Sequence, residues 1–256
     1  MRTKSPVASW ATGQTPDTAS NTQPSKPTRM PRSTGAFPYP QLPTTTHNME
    51  PKVIELSTPA NKRWTFVLLA KSLVLLGVEP RGIIHIGAHL GEEVPIYRDC
   101  GFTKITLVEP DPEKADSLRQ LHPDCDVLQF ACAAEEGPTT FYKSAETKYS
   151  GLLVNPIQPP IDQFSVECFH ARMFQRPEHN VAVVDTQGNE LEVIKTLDLS
   201  TLDLIIVEAT LEPNGYAAPL DETNVFMESI GWVPAIRWDY HDAIYCDMLY
   251  ARWNNQ

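Results

Sequence analysis

This sequence predicts an α/β fold: a mostly parallel sheet between helices on both faces, closed by an antiparallel C-terminal hairpin. Three observations carry that prediction. The run Ile83-Ile84-His85-Ile86 is apolar on either side of one histidine, as suits a central parallel strand covered on both faces. It enters a turn bounded by Gly87 and Gly91. After a helix, a second apolar run, Ile105-Thr106-Leu107-Val108, ends in Glu109, 18 residues beyond Gly91. Finally, Trp232 to Trp253 reads as two strands around Tyr240-His241-Asp242 with no helix between them. Such a hairpin cannot be a right-handed crossover, so one of its strands runs against the sheet.

Residues 1–50 are dominated by Pro, Ser, Thr, Asn and Gln and hold too few large apolar side chains to offset chain entropy; we read them as a disordered tail. Their basic, Ser/Thr-rich character also fits an organellar transit peptide. The folded domain spans 51–256. A helix is expected from about Asn61 to Leu76, stopped by Gly77, and another from Glu92 to about Cys100. Asp111 and Pro112 supply a cap and a first-turn proline for a helix reaching Leu121. A third strand covers Asp126 to Ala133, and Thr139 to Tyr142 is a short extended piece. Residues 144–180, broken by Pro156, Pro159 and Pro160, read as a lid or substrate-facing insertion, with Val166 to Phe174 a candidate helix. Val181 to Asp185 is a fourth strand and Leu202 to Val207 a fifth, ending in Glu208. Helices Glu190 to Thr196 and Asp221 to Ile230 flank that fifth strand.

The formal charge of −11 is unevenly placed. Residues 1–50 carry five Lys/Arg against two acids; the remainder carries 16 against 30. An acidic body repels phosphate backbones, so nucleic acid is not an expected partner and a small-molecule acceptor is. The five cysteines are scattered, without a C-x-x-C pair, as in a reducing, cytoplasmic compartment. No stretch reaches the ~18 apolar residues of a membrane span. His85 and His89 stand at H-x-x-x-H spacing, but on a strand and its turn and not on one helix face, so no metal is expected.

Strand, glycine turn, helix, strand and acid describe a nucleoside-binding half-domain. The spacing is G-x-x-x-G, not the G-x-G-x-x-G of a dinucleotide fingerprint. A carboxylate at Glu109 can accept from both ribose hydroxyls; the alternative is a solvated acid at the sheet edge. Asp185 and Glu208 fall at predicted C-terminal strand ends, where open α/β sheets place ligands, and either could take a proton from a substrate hydroxyl. Asp185 could instead cap the turn Thr186-Gln187-Gly188. Glu190 reads as a first-turn helix acid. His241-Asp242 reads either as an oriented imidazole base or as turn residues. His85 is expected to be a satisfied core histidine, and His89 to meet a ligand through its backbone.

Ile84-His85-Ile86-Gly87-Ala88-His89-Leu90-Gly91-Glu92-Glu93, followed by Val108-Glu109-Pro110, resembles the FkbM family of S-adenosylmethionine-dependent methyltransferases. Ser150-Gly151-Leu152-Leu153, the block from Val184-Asp185-Thr186-Gln187-Gly188 to Ile194, and His241-Asp242-Ala243-Ile244-Tyr245 continue the resemblance over about residues 70–250. It implies a seven-stranded, Rossmann-like methyltransferase sheet with a reversed last strand and S-adenosylmethionine as cofactor. It places Gly87, Ala88, His89 and Gly91 around the methionine part, Glu109 with Pro110 at the ribose, and Ala131 and Cys132 beside the adenine. Ser150 would face the substrate. Asp185 would be the first candidate base and His241 the second, with Glu208 and Asp242 beside them, in methyl transfer to a hydroxyl of a sugar or other small metabolite. A nicotinamide-dependent oxidoreductase shares the strand–turn–strand–acid order, and a non-catalytic binding relative would share the fold.

Overall fold

A computed structural model of the protein describes residues 54–57, 69, 72–211, 216, 218–239 and 244–252. The proposed 1–50 tail and the candidates His241 and Asp242 lie outside them. The chain runs β1 (Ile54–Ser57), a helical segment α1 over residues 72–76, β2 (Gly82–Ile86), α2 (Val94–Asp99), β3 (Lys104–Val108), α3 (Pro112–Leu121), β4 (Asp126–Leu128), β5 (Ala131–Cys132) and β6 (Gly137–Ser144). It continues through β7 (Pro160–Phe169), β8 (His179–Val184), α4 (Glu190–Lys195), β9 (Leu204–Thr210), α5 (Leu220–Ser229), β10 (Trp232–Asp239) and β11 (Tyr245–Arg252).

Every residue of β2 is buried, because the strand pairs in parallel with β3 on one side and β8 on the other and is covered above and below. Ile84 and Ile86 face a layer holding Val193 and Ile194 of α4 and Met227 of α5. Ile83 faces the opposite layer, with Leu73, Val94, Tyr97 and Leu118. Each fully buried aliphatic side chain contributes ~1.5–3 kcal/mol, so this two-sided burial fixes β2 at the centre. The sheet order is β1-β10-β11-β9-β8-β2-β3-β4. Seven of these strands make the expected sheet, and β11 alone runs against its neighbours β9 and β10. An eighth strand, β1, extends the edge by pairing in parallel with β10.

Three expectations need correction. The strand read as Asp126 to Ala133 is divided at Gln129-Phe130: β4 stays with β3, while β5 crosses to a second, three-stranded sheet ordered β5-β7-β6. Val166 to Phe174 is not a helix. Phe164, Val166 and Cys168 alternate with the exposed Ser165 and Glu167, and this period of two is that of the strand β7; a short 3-10 turn, Ala171–Met173, follows. The fifth strand does not end at Glu208. β8 stops at Val184 opposite Val207, but β11 keeps pairing with β9 as far as Thr210. Glu208 therefore stands inside β9, one residue past the end of its parallel neighbour.

Candidate active site

The chain leaves β2 at Gly87, whose nitrogen and that of Ala88 both donate to the carbonyl of Val108 (2.9 and 3.1 Å). Gly87 has φ +87, and a Cβ there would lie 1.7 Å from the carbonyl oxygen of Asp185. Only glycine permits that approach. The turn thereby stacks directly on the first residue beyond β8. Its next feature is His89, whose N–H donates to Glu109 Oε2 at 2.9 Å, while Asp111 N–H donates to Oε1 at 2.9 Å. Glu109 is 5% exposed, and burial pushes its carboxyl up to about 7 despite those two donors. Asp111 also caps α3 by accepting from Glu113 N–H, and its other oxygen takes Lys114 at 3.1 Å.

Across the same strand ends, the turn after β8 gathers acids. Gln187, at φ +57, donates from Nε2 to Asp185 Oδ1 (2.6 Å) and to Glu208 Oε2 (3.0 Å). Glu190 turns its buried carboxylate back on its own helix start and accepts from Thr186 N–H and Gly188 N–H, both at 2.9 Å. Burial, with the charge of Asp185 adding to it, raises Glu190 to about 7. Oxygens of Asp185, Glu190 and Glu208 lie within 4.8 Å of one another. The Gln187 amide, donating to two of them, takes up part of the repulsion that such a cluster creates.

Between these two ends lies a cavity of about 400 Å³, in the size range of small-molecule sites. Its floor is the C-terminal edge of the parallel strands. Its wall on one side is the small sheet, through Ala131, Cys132 and Phe141, and its roof is the 3-10 turn Thr147–Tyr149 with Ser150 and Gly151.

A family model, the methyltransferase FkbM domain, matches residues 85–232. The chain belongs to the FkbM methyltransferase family. Among solved structures it is similar to an FkbM methyltransferase from Methylobacillus flagellatus KT, at 11% identity and TM-score 0.47 over 68% of this chain and 44% of that one. It thus spans less than half the length of the Methylobacillus protein. It is also similar to magnesium protoporphyrin IX methyltransferase from Synechocystis PCC 6803, solved with bound S-adenosylhomocysteine (9% identity, TM-score 0.46, 75% of this chain and 83% of that one). Comparison with curated proteins gives no match.

FkbM methyltransferases draw their methyl group from S-adenosylmethionine, and the cavity fits that donor. Each Glu109 oxygen holds one backbone N–H and retains a second lone pair, enough for two ribose hydroxyls. The charge also suits it. Glu92, Glu93, Glu109, Asp185 and Glu208 line the cavity against two lysines, of which Lys114 is already engaged by Asp111. An acid-rich wall favours a sulfonium cation and disfavours the pyrophosphate of a nicotinamide dinucleotide.

Of the residues singled out in the sequence, Gly87, Ala88, His89, Glu109, Pro110, Ala131, Cys132, Ser150, Asp185 and Glu208 all line the cavity. Gly91 does not. Its Cα faces Leu118 and the His122 ring, where a Cβ would lie 2.8–2.9 Å away. His85 is buried and bonded through Nδ1 to the Tyr97 hydroxyl at 3.0 Å, and it too borders the cavity. Gln187, Phe130 and Thr147 were missed. Gln187 carried a signal, standing between Asp185 and a glycine in the family block. Phe130 and Thr147 carried none, because the small sheet and its roof turn are long-range constructions. Among the described residues, no helix is long and apolar enough to cross a membrane.

Proposed function

We propose that the protein transfers a methyl group from S-adenosylmethionine to a hydroxyl of a sugar or other small metabolite, with Asp185 accepting the hydroxyl proton. The observation that carries this reading is the facing of the two ends across one cavity: Glu109 with the glycine turn on one side, Asp185 with Gln187 and Glu208 on the other. Bound there, the sulfonium supplies a methyl already attached to its own leaving group, so the protein's work is to place the acceptor oxygen and remove its proton.

The residues are arranged for both tasks. Gln187 fixes Asp185 Oδ1 and Glu208 Oε2 with one amide, which leaves Asp185 Oδ2 as a second acceptor site on a carboxylate whose orientation is set. As the alcohol oxygen gains carbon, its proton passes to Asp185; general-base help of this kind is worth ~10²–10⁴-fold. Alignment between the glycine turn and the roof supplies up to ~7–11 kcal/mol in well-oriented cases. The net negative lining supports a neutral acceptor over a phosphorylated one. The roof and the sheet behind it, within 144–180, serve as the lid and acceptor wall.

Two measurements test this. Calorimetry of the full chain with S-adenosylhomocysteine should show saturable binding; its absence would sink the cofactor site. Mass spectrometry of metabolite pools incubated with enzyme and methyl-labelled cofactor should show label on a hydroxyl oxygen. Label arriving instead on nitrogen or carbon would refute the acceptor class while leaving the cofactor site standing.

A further inference from the structure

Between glycines at φ +87 and +69, the turn holds a histidine at φ +48, a left-handed conformation that glycine would adopt at lower cost. The bonds His89 makes offset that cost. Its N–H holds Glu109. Its ring bridges two further elements: Nδ1 lies 3.1 Å from Glu92 Oε1, and Nε2 lies 3.0 Å from Thr147 Oγ1. A carboxylate only accepts, so Nδ1 carries a proton toward Glu92, and Nε2 shares the second hydrogen bond with the threonine hydroxyl. The His89 hydrogen bond, outweighing partial burial, holds Glu92 at about 2, so the orienting charge is permanent near neutrality. His89, Glu92 and Thr147 all line the cavity.

Thr147 opens the 3-10 turn of the roof, and the two ends of that roof are fastened differently. At the far end, Gly151 and Tyr142 exchange backbone hydrogen bonds of 2.8 and 3.1 Å, and Gly151 lies so close to the Thr186 and Gln187 carbonyls that a Cβ would be 3.1 Å from each. That end is fixed by backbone. At the near end, one hydrogen bond between side chains joins the roof to the glycine turn.

We propose that the His89–Thr147 bond is the releasable pin of the roof over the cofactor cavity, with Glu92 keeping the imidazole aimed. His89 is thus a positioning residue: it governs how long the cofactor stays and takes no part in the chemistry. The inference rests on the reading of this cavity as the S-adenosylmethionine site.

The test uses the full chain with Thr147→Val, His89→Asn, the double variant and Thr147→Ser. Dissociation of S-adenosylhomocysteine should quicken roughly 3- to 10-fold in each single variant, the size expected for one hydrogen bond. It should be no faster in the double variant, because both changes remove the same contact. Thr147→Ser should restore the wild-type rate to within about 2-fold. An unchanged rate, or a double variant in which the two effects multiply, overturns the pin. Amide exchange of Tyr149 and Ser150, whose N–H groups donate within the turn to Glu146 and Thr147, should accelerate equally without ligand in both single variants and the double while Gly151 stays protected, and unaltered exchange at Tyr149 and Ser150 also overturns it. If the wild-type chain binds no S-adenosylhomocysteine while exchange behaves as expected, the cofactor reading fails and the pin itself stands.

Discussion

The two ends of the cavity join residues about equally far apart in the chain: 20 positions separate His89 from Glu109, and 21 separate Gln187 from Glu208. They differ in what donates. At the glycine-turn end Glu109 is held by backbone N–H groups, which almost any sequence offers once the turn has formed. At the acid end Asp185 and Glu208 are held by one side-chain amide. Backbone donors make a site as robust as the fold and inseparable from it. A side-chain donor can be replaced with the fold intact, so chemistry can be altered there alone. Substitutions at the turn should therefore damage stability first, and substitutions at the acids should damage turnover first.

The most severe break is expected where the two ends touch. In Gly87→Ala the new Cβ would collide with the Asp185 carbonyl, with backbone on both sides and no side chain to swing away. We expect a loss above ~4 kcal/mol, in the exceptional range for one substitution, read as failure to fold or a collapse of the urea midpoint. Asp185→Asn is the opposite case. Asparagine still accepts from Gln187 Nε2 through its carbonyl, so the fold and the affinity for S-adenosylhomocysteine should hold to within about 3-fold. Turnover should fall ~10²–10⁴-fold because the proton acceptor is gone. Intact turnover would remove Asp185 as the base and leave the fold untouched.

The same contrast explains which parts of the molecule are legible in its sequence. The strand–turn–strand–acid unit is written in consecutive residues, so β2, the Gly87–Gly91 turn, β3 and Glu109 were legible, as were the Asp111 cap and the reversed β11. The small sheet was not. Asp126 to Cys132 reads as one strand, with Gln129 the one polar residue after Asp126, and nothing local tells the chain to leave β3 after Leu128 and pair Ala131 with Cys168, 37 residues on. Proline-broken residues 144–159 hid the fact that Pro160–Phe169 is a ten-residue strand. Glu208 is legible as an acid after an apolar run, but its place inside β9 depends on its pairing with Asp247 of β11, 39 residues later. The helix expected over Val166 to Phe174 gives way to a strand because buried Val166 and Cys168 alternate with exposed Ser165 and Glu167.

Glu109 and Glu190 offer a way to sharpen the comparison by pH. Both stand near 7 in the folded chain against an ordinary value of 4.5, chiefly through burial. The folded state thus keeps protons that the unfolded chain has released. Stability from this source is full below about pH 4.5 and is lost as pH rises through about 7, to the extent of ~1–3 kcal/mol per group. In Glu190→Gln the remaining carbonyl oxygen can still accept from Thr186 and Gly188, while the titrating proton is gone. Urea midpoints measured from pH 5 to 8 should fall less steeply in this variant than in wild type; an identical slope would mean that Glu190 titrates normally.

Gly91→Ala should have the smallest effect, and it separates shape from contact. The φ of +69 penalises any side chain, but the neighbours of the new Cβ are the Leu118 and His122 side chains, whose far ends can shift. A cost of ~1–2 kcal/mol follows from backbone conformation and crowding together. Gly91 does not line the cavity, so S-adenosylhomocysteine affinity should stay within about 2-fold while the urea midpoint drops. Affinity lost more than 10-fold with little change in stability would instead put Gly91 against the cofactor, as the glycine spacing alone suggests. In that event the backbone-built end of the cavity would include Gly91 as well as Gly87.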